Sequence, residues 1–302
     1  MSLMVLGTVA LDDIKTASGF KPNLLGGSAT HFSMSASLFT QVHLAAVVGE
    51  DFPQRHTRLL EKKGIDLTSL LEHKGKTFHW EGEYQQDNLN AAITLKTELG
   101  VLLNYTPEVA VTQRNIPYVF LANFDPDLQL QFLQLMNKPQ FVGLDSMNLW
   151  IHTKRKSVLE LMGRVDLFVA NDGEARALTG ETNLIKAAKQ LRKKGPAFIV
   201  IKKGEHGVLF YCDRFMFSFP AYPVEQVVDP TGAGDTFAGG LMGYLSKAGK
   251  VNEKTIRQAV IYATTVASFN VEGFGVAKTA PLTLNAVHRR MKEYIQFISP
   301  SV

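Results

Sequence analysis

The residues best suited to chemistry lie in one short run, Asp229–Phe237, which reads Asp-Pro-Thr-Gly-Ala-Gly-Asp-Thr-Phe. Gly232 and Gly234 allow backbone conformations closed to other residues and bring bare amide groups close to a ligand. An apolar stripe at helical spacing starts at Phe237, so the run is predicted to open a helix. Amides at a helix start form a site for a phosphate or a developing anion. A carboxylate at Asp235, beside that site, could take a proton from an attacking hydroxyl.

The same run also has a plain structural interpretation, a glycine-rich turn capped by an aspartate. The Gly-x-Gly pattern alone does not decide between the two. The run is not a Walker loop, because no Lys-Ser/Thr pair follows the glycines. It is not a dinucleotide-binding fingerprint either, because Phe237 stands where the third glycine would be.

Two further polar groups follow predicted strands. Asn171 and Glu174 have the spacing of a helix capping box, and they could equally help to organise a ligand. The run Asp145–Asn148 ends a strand at the edge where open α/β sheets bind ligands. A solvated loop aspartate is at least as good an explanation for Asp145.

The elements that must position these groups alternate between strand and helix. The segment Asn183–Lys194 carries apolar residues at helical spacing, with Gly195 as a stop. Strands that alternate with helices are typical of a mostly parallel sheet covered by helices on both faces. Runs rich in β-branched and aromatic residues predict strands at Leu3–Val9, Val42–Val48, Tyr118–Ala122, Phe141–Asp145, Asp166–Ala170 and Ala197–Lys202.

Two segments break that alternation. Residues 12–25 are short and polar, with Gly19 and Pro22, and residues 75–101 alternate without a helix between their parts. Such material favours a hairpin or a meander over another strand–helix unit. We therefore expect a small β subdomain, inserted into one core domain that covers residues 1–302, which could serve as a lid.

The complete run Asp229–Phe237, with Ala-Gly-Gly after it, resembles the C-terminal signature of the PfkB family, the ribokinase-like carbohydrate and nucleoside kinases. Other pieces occur in the order typical of the family. Their sequences are Gly26-Gly27, Val48-Gly-Glu-Asp-Phe52 (which lacks the usual spacer before Phe), Asn171-Asp-Gly-Glu174 and Lys202-Lys-Gly204-Glu-His-Gly207.

The resemblance implies a Rossmann-like α/β domain with a β lid that closes over the substrate and ATP. The resemblance implies that Asp235 is the catalytic base. It also implies that the amides of Gly232, Ala233 and Gly234 form an anion hole for the transferred phosphoryl group. Glu174 would act on Mg²⁺ through water, as expected for an ion that retains its hydration shell.

The resemblance also suggests partners for the nucleotide and for a second cation. Near the nucleotide phosphates it places Asn171, Lys202 and the turn containing Gly204 and Gly207. The stretch Ala267–Gly273 resembles the sequence flanking the adenine pocket, with Asn270 as the polar contact, although it could also be a helix end stopped by glycine. A monovalent cation, K⁺, would implicate Asp229 and Thr231.

The phosphate acceptor is expected against Asp12 or Asp13 and the Gly26-Gly27 pair. Buried sugar hydroxyls need such polar partners, and the sequence does not say which aspartate points inward. The family usually has a substrate-contacting asparagine where this chain has His31. His31 could make that contact instead, although a histidine taken alone more often has a structural role. The aromatic residues Phe78, Trp80 and Tyr84 could stack on a base, cover a sugar or fill the lid core.

These observations predict an ATP-dependent kinase that phosphorylates a hydroxyl of a small sugar or sugar-like molecule. A nucleoside kinase, adenosine- or cytidine-like, is the alternative within the same family. A kinase fold kept only as a binding module is a third reading, but such a module would be expected to lose the base or the glycines that this chain retains.

Composition narrows the protein classes. The 302 residues are 45% hydrophobic and 20% charged with a net charge of +4, typical of a globular core. The basic trios at 154–156 and 192–194 are too short for a nucleic-acid footprint, and no apolar run reaches the roughly 18–20 residues of a membrane helix.

A single cysteine, Cys212, excludes a disulfide within one chain. With no basic leader, we expect a cytoplasmic protein, and a homodimer through the lid is a hypothesis.

Overall fold

The computed structural model of the protein describes residues 1–299. Its strands are β1 (Leu3–Leu6), β2 (Ala10–Thr16), β3 (Gly19–Gly26), β4 (Val42–Gly49), β5 (Leu70–His73), β6 (His79–Gln85), β7 (Asn88–Glu98), β8 (Tyr118–Leu121), β9 (Phe141–Asp145), β10 (Leu167–Asn171), β11 (Phe198–Lys202), β12 (Val208–Tyr211) and β13 (Met216–Phe219). Its helices are α1 (Ser28–Ala36), α2 (Gln54–Lys62), α3 (Pro126–Leu135), α4 (Asn148–Thr153), α5 (Arg155–Met162), α6 (Asp172–Thr179), α7 (Leu184–Arg192), α8 (Ala233–Ala248), α9 (Glu253–Asn270) and α10 (Leu284–Ile298).

The larger of two sheets has nine strands in the order β13-β12-β11-β10-β9-β8-β1-β4-β5. Neighbouring strands from β11 to β5 run parallel, and the β12–β13 hairpin adds an antiparallel edge. Parallel neighbours cannot be joined by a tight turn and need crossover connections, which the intervening helices provide. The predicted mostly parallel, helix-flanked sheet is confirmed.

Both faces of this sheet are buried, because successive side chains of a strand point to opposite sides. In β1, Leu3 and Val5 pack into the core that also contains residues of α1, α8 and α9. Met4 and Leu6 pack into the opposite core, with residues of α3 to α7. The near-continuous apolar strands of the sequence reflect these two cores.

The smaller sheet has the order β3-β2-β6-β7, formed by the two segments that broke the strand–helix alternation. Strands β2 and β6 pair in parallel, while β2–β3 and β6–β7 are antiparallel hairpins. Its outer edge strand β7 is exposed along nearly its whole length. One face of this sheet carries Asp12 of β2, so the sheet brings residues of the N-terminal segment to the site described next.

Candidate active site

The candidate site lies where parallel strands of the large sheet end. Asp145, Asn171 and Lys202 are the last residues of the neighbouring strands β9, β10 and β11. Carboxyl ends of parallel strands meet at one edge of a sheet, which is where open α/β folds bind ligands. The Asp229–Phe237 run reaches the same edge, because Lys202 lies against Gly234.

The glycine run opens α8, as the sequence predicted. Gly232 is the residue before the helix and has φ 72° and ψ 4°, a left-handed conformation that favours glycine. Ala233 donates its amide to the Pro230 carbonyl at 3.2 Å, whereas the Gly234 amide has no backbone acceptor within residues 1–299. The first turn of the helix therefore presents a free Gly234 N–H, next to Asp235, at the positive end of the helix dipole.

A buried ion pair stands over this turn. The Lys202 ammonium lies 2.8 Å from an Asp145 carboxylate oxygen, with the two side chains 18% and 4% exposed. A methyl group added at Gly234 would come within 2.9 Å of Lys202 Nζ. Burial alone would lower the pKa of Lys202, but Asp145, Glu174 and Asp235 together raise it, so the side chain stays a cation. The cation is thus held directly beside the free amide.

The same charges act on the proposed base. Burial, and after it the charge of Asp145, raises the pKa of Asp235 to about 7, although Lys202 opposes the change. Carboxylates with a pKa near neutrality can exchange protons at working pH. Asp235 therefore has the electrostatic property that a general base requires.

Asn171 and Glu174 form a capping box at the start of α6, which confirms the structural interpretation of their spacing. Asn171 Oδ1 accepts from the Glu174 amide at 2.8 Å, and Glu174 Oε2 accepts from the Asn171 amide at 2.7 Å. Burial, and then the charge of Asp145, raises the pKa of Glu174 to about 7. The cap holds the Glu174 carboxylate near Lys202 and Asp235.

Of the two neighbouring aspartates in β2, Asp12 is the one directed into the site. It is buried, and an added methyl at Gly26 would come within 1.8 Å of its carboxylate, so a side chain there would displace Asp12. The Gly27 amide donates to Asp12, but burial, and then Asp229, raises the pKa of this carboxyl to about 8. The Gly26-Gly27 pair therefore lets a buried carboxyl group approach the backbone of β3.

Asp13, the next residue of β2, has polar partners of its own. Its carboxylate is 3.2 Å from His79 Nε2 and accepts from the Asn23 amide at 2.7 Å. The pairing of β2 with β3 is irregular between Asp12 and Ile14, which fits the different surroundings of the two aspartates. A contact of Asp13 with the phosphate acceptor stays a prediction.

The inward face of the small sheet carries aromatic residues. Trp80 is the β6 partner of Asp12, and its ring covers Gly82, where an added methyl would come within 2.1 Å. Burial raises the pKa of the Tyr84 phenol, and Asp229, Asp12 and Asp235 raise it further, so Tyr84 lies near all three carboxyl groups. An aromatic surface thus faces the buried carboxyl of Asp12.

His31 and Asn270 meet beneath the glycine run. His31 Nδ1 lies 3.1 Å from Asn270 Oδ1, and both residues are buried. Asn270 Nδ2 donates to the Thr231 carbonyl at 2.7 Å. This buried amide is engaged inside the protein, which corrects the adenine contact expected for it: Asn270 ends α9 and faces the loop.

The two residues suggested for a monovalent cation, Asp229 and Thr231, lie next to each other in the loop before α8, and Asp229 is buried. Asp229 accepts from the amides of Thr231 and Gly275, both at 2.9 Å. The Thr231 hydroxyl is buried beside the Tyr84 phenol, outside the usual geometry of a hydrogen bond. Oxygen atoms of this kind suit a hard cation.

The turn expected near the nucleotide phosphates is a short 3₁₀ segment, Gly204–His206. Gly204 lies against Asn90, from the start of β7, and Gly207 lies against the Phe219 backbone. The turn therefore contacts both sheets.

Sequence reasoning missed the part played by Asp145. The sequence offered either the ligand-binding edge of the sheet or a solvated loop for Asp145, and no pattern predicted the ion pair with Lys202. The available signal was position, since both residues end adjacent parallel strands.

The chain is similar to known proteins over most of its length. The family model described as "pfkB family carbohydrate kinase" matches residues 6–282. The cytidine kinase of Thermococcus kodakarensis is 31% identical, over 85% of this chain and 92% of its own. The ribokinase of Haemophilus influenzae is 30% identical, over 93% of this chain and 95% of its own.

A crystal structure described as Escherichia coli ribokinase II, in complex with ATP and Mg²⁺, superimposes with a TM-score of 0.81 at 15% identity, over 97% of this chain and 99% of that one. It shares the fold. Within residues 1–299 no helix has the length and apolar content to cross a bilayer. The predicted enzyme class, a phosphotransferase, is confirmed by the family match. The chain belongs to the PfkB family of carbohydrate kinases.

Proposed function

We propose that the protein transfers the γ-phosphoryl group of ATP to a hydroxyl of a ribonucleoside, with Asp235 as the general base. The observation that carries this proposal is the arrangement at the start of α8. There a carboxyl group with a pKa of about 7 lies beside a free amide and the Lys202 ammonium. Phosphoryl transfer needs positioning, charge neutralisation and a base for the acceptor, and these groups provide all three.

In the proposed reaction the acceptor hydroxyl gives its proton to the Asp235 carboxylate as its oxygen bonds to the γ-phosphorus. The bond from the γ-phosphorus to the β–γ bridging oxygen breaks, and ADP leaves. The Gly234 N–H and the Lys202 ammonium stabilise the negative charge on the transferred group. The amides of Gly232 and Ala233 are proposed as further donors, although Ala233 would first have to leave Pro230.

The residues near Glu174 fit a magnesium-bound nucleotide. Glu174, Asp145 and Asp235 are hard oxygen donors in one acidic group around Lys202. Within residues 1–299 no cluster of His, Cys, Asp or Glu side chains is arranged to hold a metal directly, so Glu174 would act through water. Mg²⁺ neutralises phosphate charge when bound. Asn171 and the Gly204–Gly207 turn are proposed to lie near the phosphates.

A nucleoside is favoured as acceptor by two observations. The Trp80 ring, which lies against Gly82, gives the inward face of the small sheet an aromatic side chain on which we propose that a base stacks. We propose that Asp12, which is buried on the adjacent strand, binds the ribose hydroxyls. The cytidine kinase, 31% identical over most of both chains, is a relative that also supports a nucleoside as the acceptor.

A free sugar is the second candidate, because the ribokinase of H. influenzae is 30% identical over a similar length. Purified protein with Mg-ATP, assayed for ADP release against cytidine, adenosine, inosine, ribose and fructose, tests both. We expect the highest kcat/KM with a ribonucleoside. A kcat/KM for ribose or fructose above that of every nucleoside would reject the nucleoside assignment, and no turnover with any acceptor would reject the kinase proposal.

A matched pair of variants tests the role of the aromatic surface. Trp80→Leu removes the ring, and Leu103→Ala, at a residue 68% exposed, is the control. We expect Trp80→Leu to raise the KM for the nucleoside by about tenfold or more, since base stacking is worth about 1–3 kcal/mol. An unchanged nucleoside KM would place the base elsewhere.

Two further proposals concern K⁺ and association. Asp229 and the buried Thr231 hydroxyl are proposed to bind K⁺, and a higher kcat in KCl than in choline chloride at equal ionic strength would support this. A dimer through the exposed edge strand β7 is proposed from its unpaired backbone. A monomer in sedimentation equilibrium would reject it.

A further inference from the structure

Asn270 binds the glycine run on both sides. Its amide nitrogen donates to the Thr231 carbonyl at 2.7 Å, just before Gly232. Its amide oxygen accepts from the Thr236 hydroxyl at 3.0 Å, just after Asp235. One fully buried side chain thus joins the two ends of the segment that carries the base and the free amide.

The contacts of Asn270 determine the protonation of His31. A carbonyl oxygen only accepts, so the atom facing Thr231 must be the amide nitrogen and the atom facing His31 must be the amide oxygen. His31 Nδ1, 3.1 Å from that oxygen, must therefore carry a proton. Burial lowers the pKa of His31, against the opposing charge of Asp229, so the ring is neutral and Nε2 is unprotonated. Nε2 has no hydrogen-bond partner within residues 1–299, so the bond to Asn270 is the hydrogen bond that orients the ring.

The oriented ring lies against Gly232. A methyl group added at Gly232 would come within 2.2 to 2.4 Å of three ring atoms of His31. The left-handed conformation of Gly232 sets the direction in which α8 starts, and with it the directions of the Gly234 amide and the Asp235 carboxylate. Helix α1, which carries His31, packs closely on α8.

We propose that His31 and Asn270 act as one positioning pair: the Nδ1–H of His31 holds Asn270, and together they fix the Thr231–Thr236 segment in the geometry for phosphoryl transfer. This inference rests on the proposed kinase function and adds two residues to it. His31 acts through the loop, which distinguishes this role from the acceptor contact considered for it above. Displacements of about 1 Å in a catalytic group are known to cost about 100-fold in rate.

Two substitutions of His31 separate the hydrogen bond from the packing. His31→Asn keeps a donor, because its amide nitrogen is as far along the side chain as Nδ1, but removes the ring. His31→Phe keeps a ring against Gly232 but removes the donor. Asn270→Leu and the double variant His31→Phe/Asn270→Leu complete a cycle.

We expect His31→Phe to lower kcat by about tenfold or more, as for one lost positioning hydrogen bond, with the KM of the acceptor changed less than about threefold. His31→Asn should recover most of that loss, and the double variant should be no worse than Asn270→Leu alone, since the pair acts as a unit. A selective rise in the acceptor KM would make His31 a substrate contact and reject the inference. Normal kcat with a lowered Tm would make the pair purely structural and also reject it.

A spectroscopic readout tests the pair without any activity. In protein labelled with ¹⁵N-histidine, the resonances lost in His31→Asn belong to His31 and should show the Nδ1–H tautomer. An Nε2–H tautomer would refute the inference even if the enzyme is active. If the wild type turns over no acceptor, the proposed function fails, while the tautomer still decides on the His31–Asn270 bond.

Discussion

Removal of the Asp145 carboxylate is predicted to move the acid limb of the pH–rate profile. Burial and Asp145 raise the pKa of Asp235 to about 7. The base must be ionised to accept a proton, so kcat/KM should be about half its plateau at pH 7 and about a tenth at pH 6. Activity is thus lost as the pH falls through the pKa.

The magnitude for Asp145→Asn follows from the charges around Asp235. The substitution removes the largest neighbouring charge that raises the pKa and leaves Lys202, which lowers it. A charge at this range typically changes a pKa by about one to two pH units. At pH 6 the variant should therefore retain about half or more of its own plateau value, instead of about a tenth.

The assay is kcat/KM for the acceptor from pH 5 to 9, by ADP release, with each profile normalised to its own plateau. Asp166→Asn is the control, because Asp166 is a half-buried carboxylate at the opposite end of β10, where it accepts from the Val142 amide. The control should keep the wild-type profile. An acid limb in Asp145→Asn that is unmoved or shifted to higher pH would refute the electrostatic reasoning.

Three other substitutions follow from local geometry. Gly26→Ala places a methyl 1.8 Å from an Asp12 oxygen. In steady-state kinetics the KM for the acceptor should therefore rise about tenfold while the KM for ATP stays unchanged. An unchanged KM for the acceptor would contradict this. The pKa of Asp12 is raised to about 8, so its contribution to stability is present at low pH and lost as the pH rises through 8. Asp12→Asn should stabilise the protein by about 1–3 kcal/mol at pH 8.5 and not at pH 4 in urea unfolding, and equal effects at both would count against it. Lys63 Nζ donates to three carbonyls of residues 279–282 at 2.9–3.2 Å. Lys63→Met should therefore lower the free energy of unfolding in urea by about 1–3 kcal/mol, whereas Lys62→Met, at an exposed residue, should leave it almost unchanged.

The strands of the large sheet could be predicted because each is an apolar run buried on both faces. The prediction Phe141–Asp145 coincides with β9, and Val42–Val48 differs from β4 by one residue. The prediction Leu3–Val9 extends past β1, which ends at Leu6. Val9 is buried like a strand residue, but the pairing of β1 with its neighbours stops at Leu6.

The site was predictable only where a local pattern carries the chemistry. The glycines and Asp235 are contiguous, so their helix start was visible in the sequence. The ion pair between Asp145 and Lys202 joins residues 57 positions apart, and the bond between His31 and Asn270 joins residues 239 positions apart. Such pairings depend on tertiary packing, which no local spacing records.

The two aspartates of β2 show the remaining limit. Both are polar and adjacent, and a shift of one residue in the strand register would exchange their faces. The parallel pairing of β2 with β6 settles the register, with Asp12 beside Trp80. That pairing joins two segments separated by more than sixty residues. Patterns in a single sequence do not determine the register between strands so far apart.

The most direct test of the account is kcat for Asp235→Asn, measured together with ATP affinity by calorimetry. Asparagine keeps the shape of the side chain and cannot accept the hydroxyl proton. We predict that kcat falls by about 100- to 10,000-fold while the Kd for Mg-ATP changes less than about threefold. Turnover within tenfold of the wild type would contradict the assignment of Asp235 as the base.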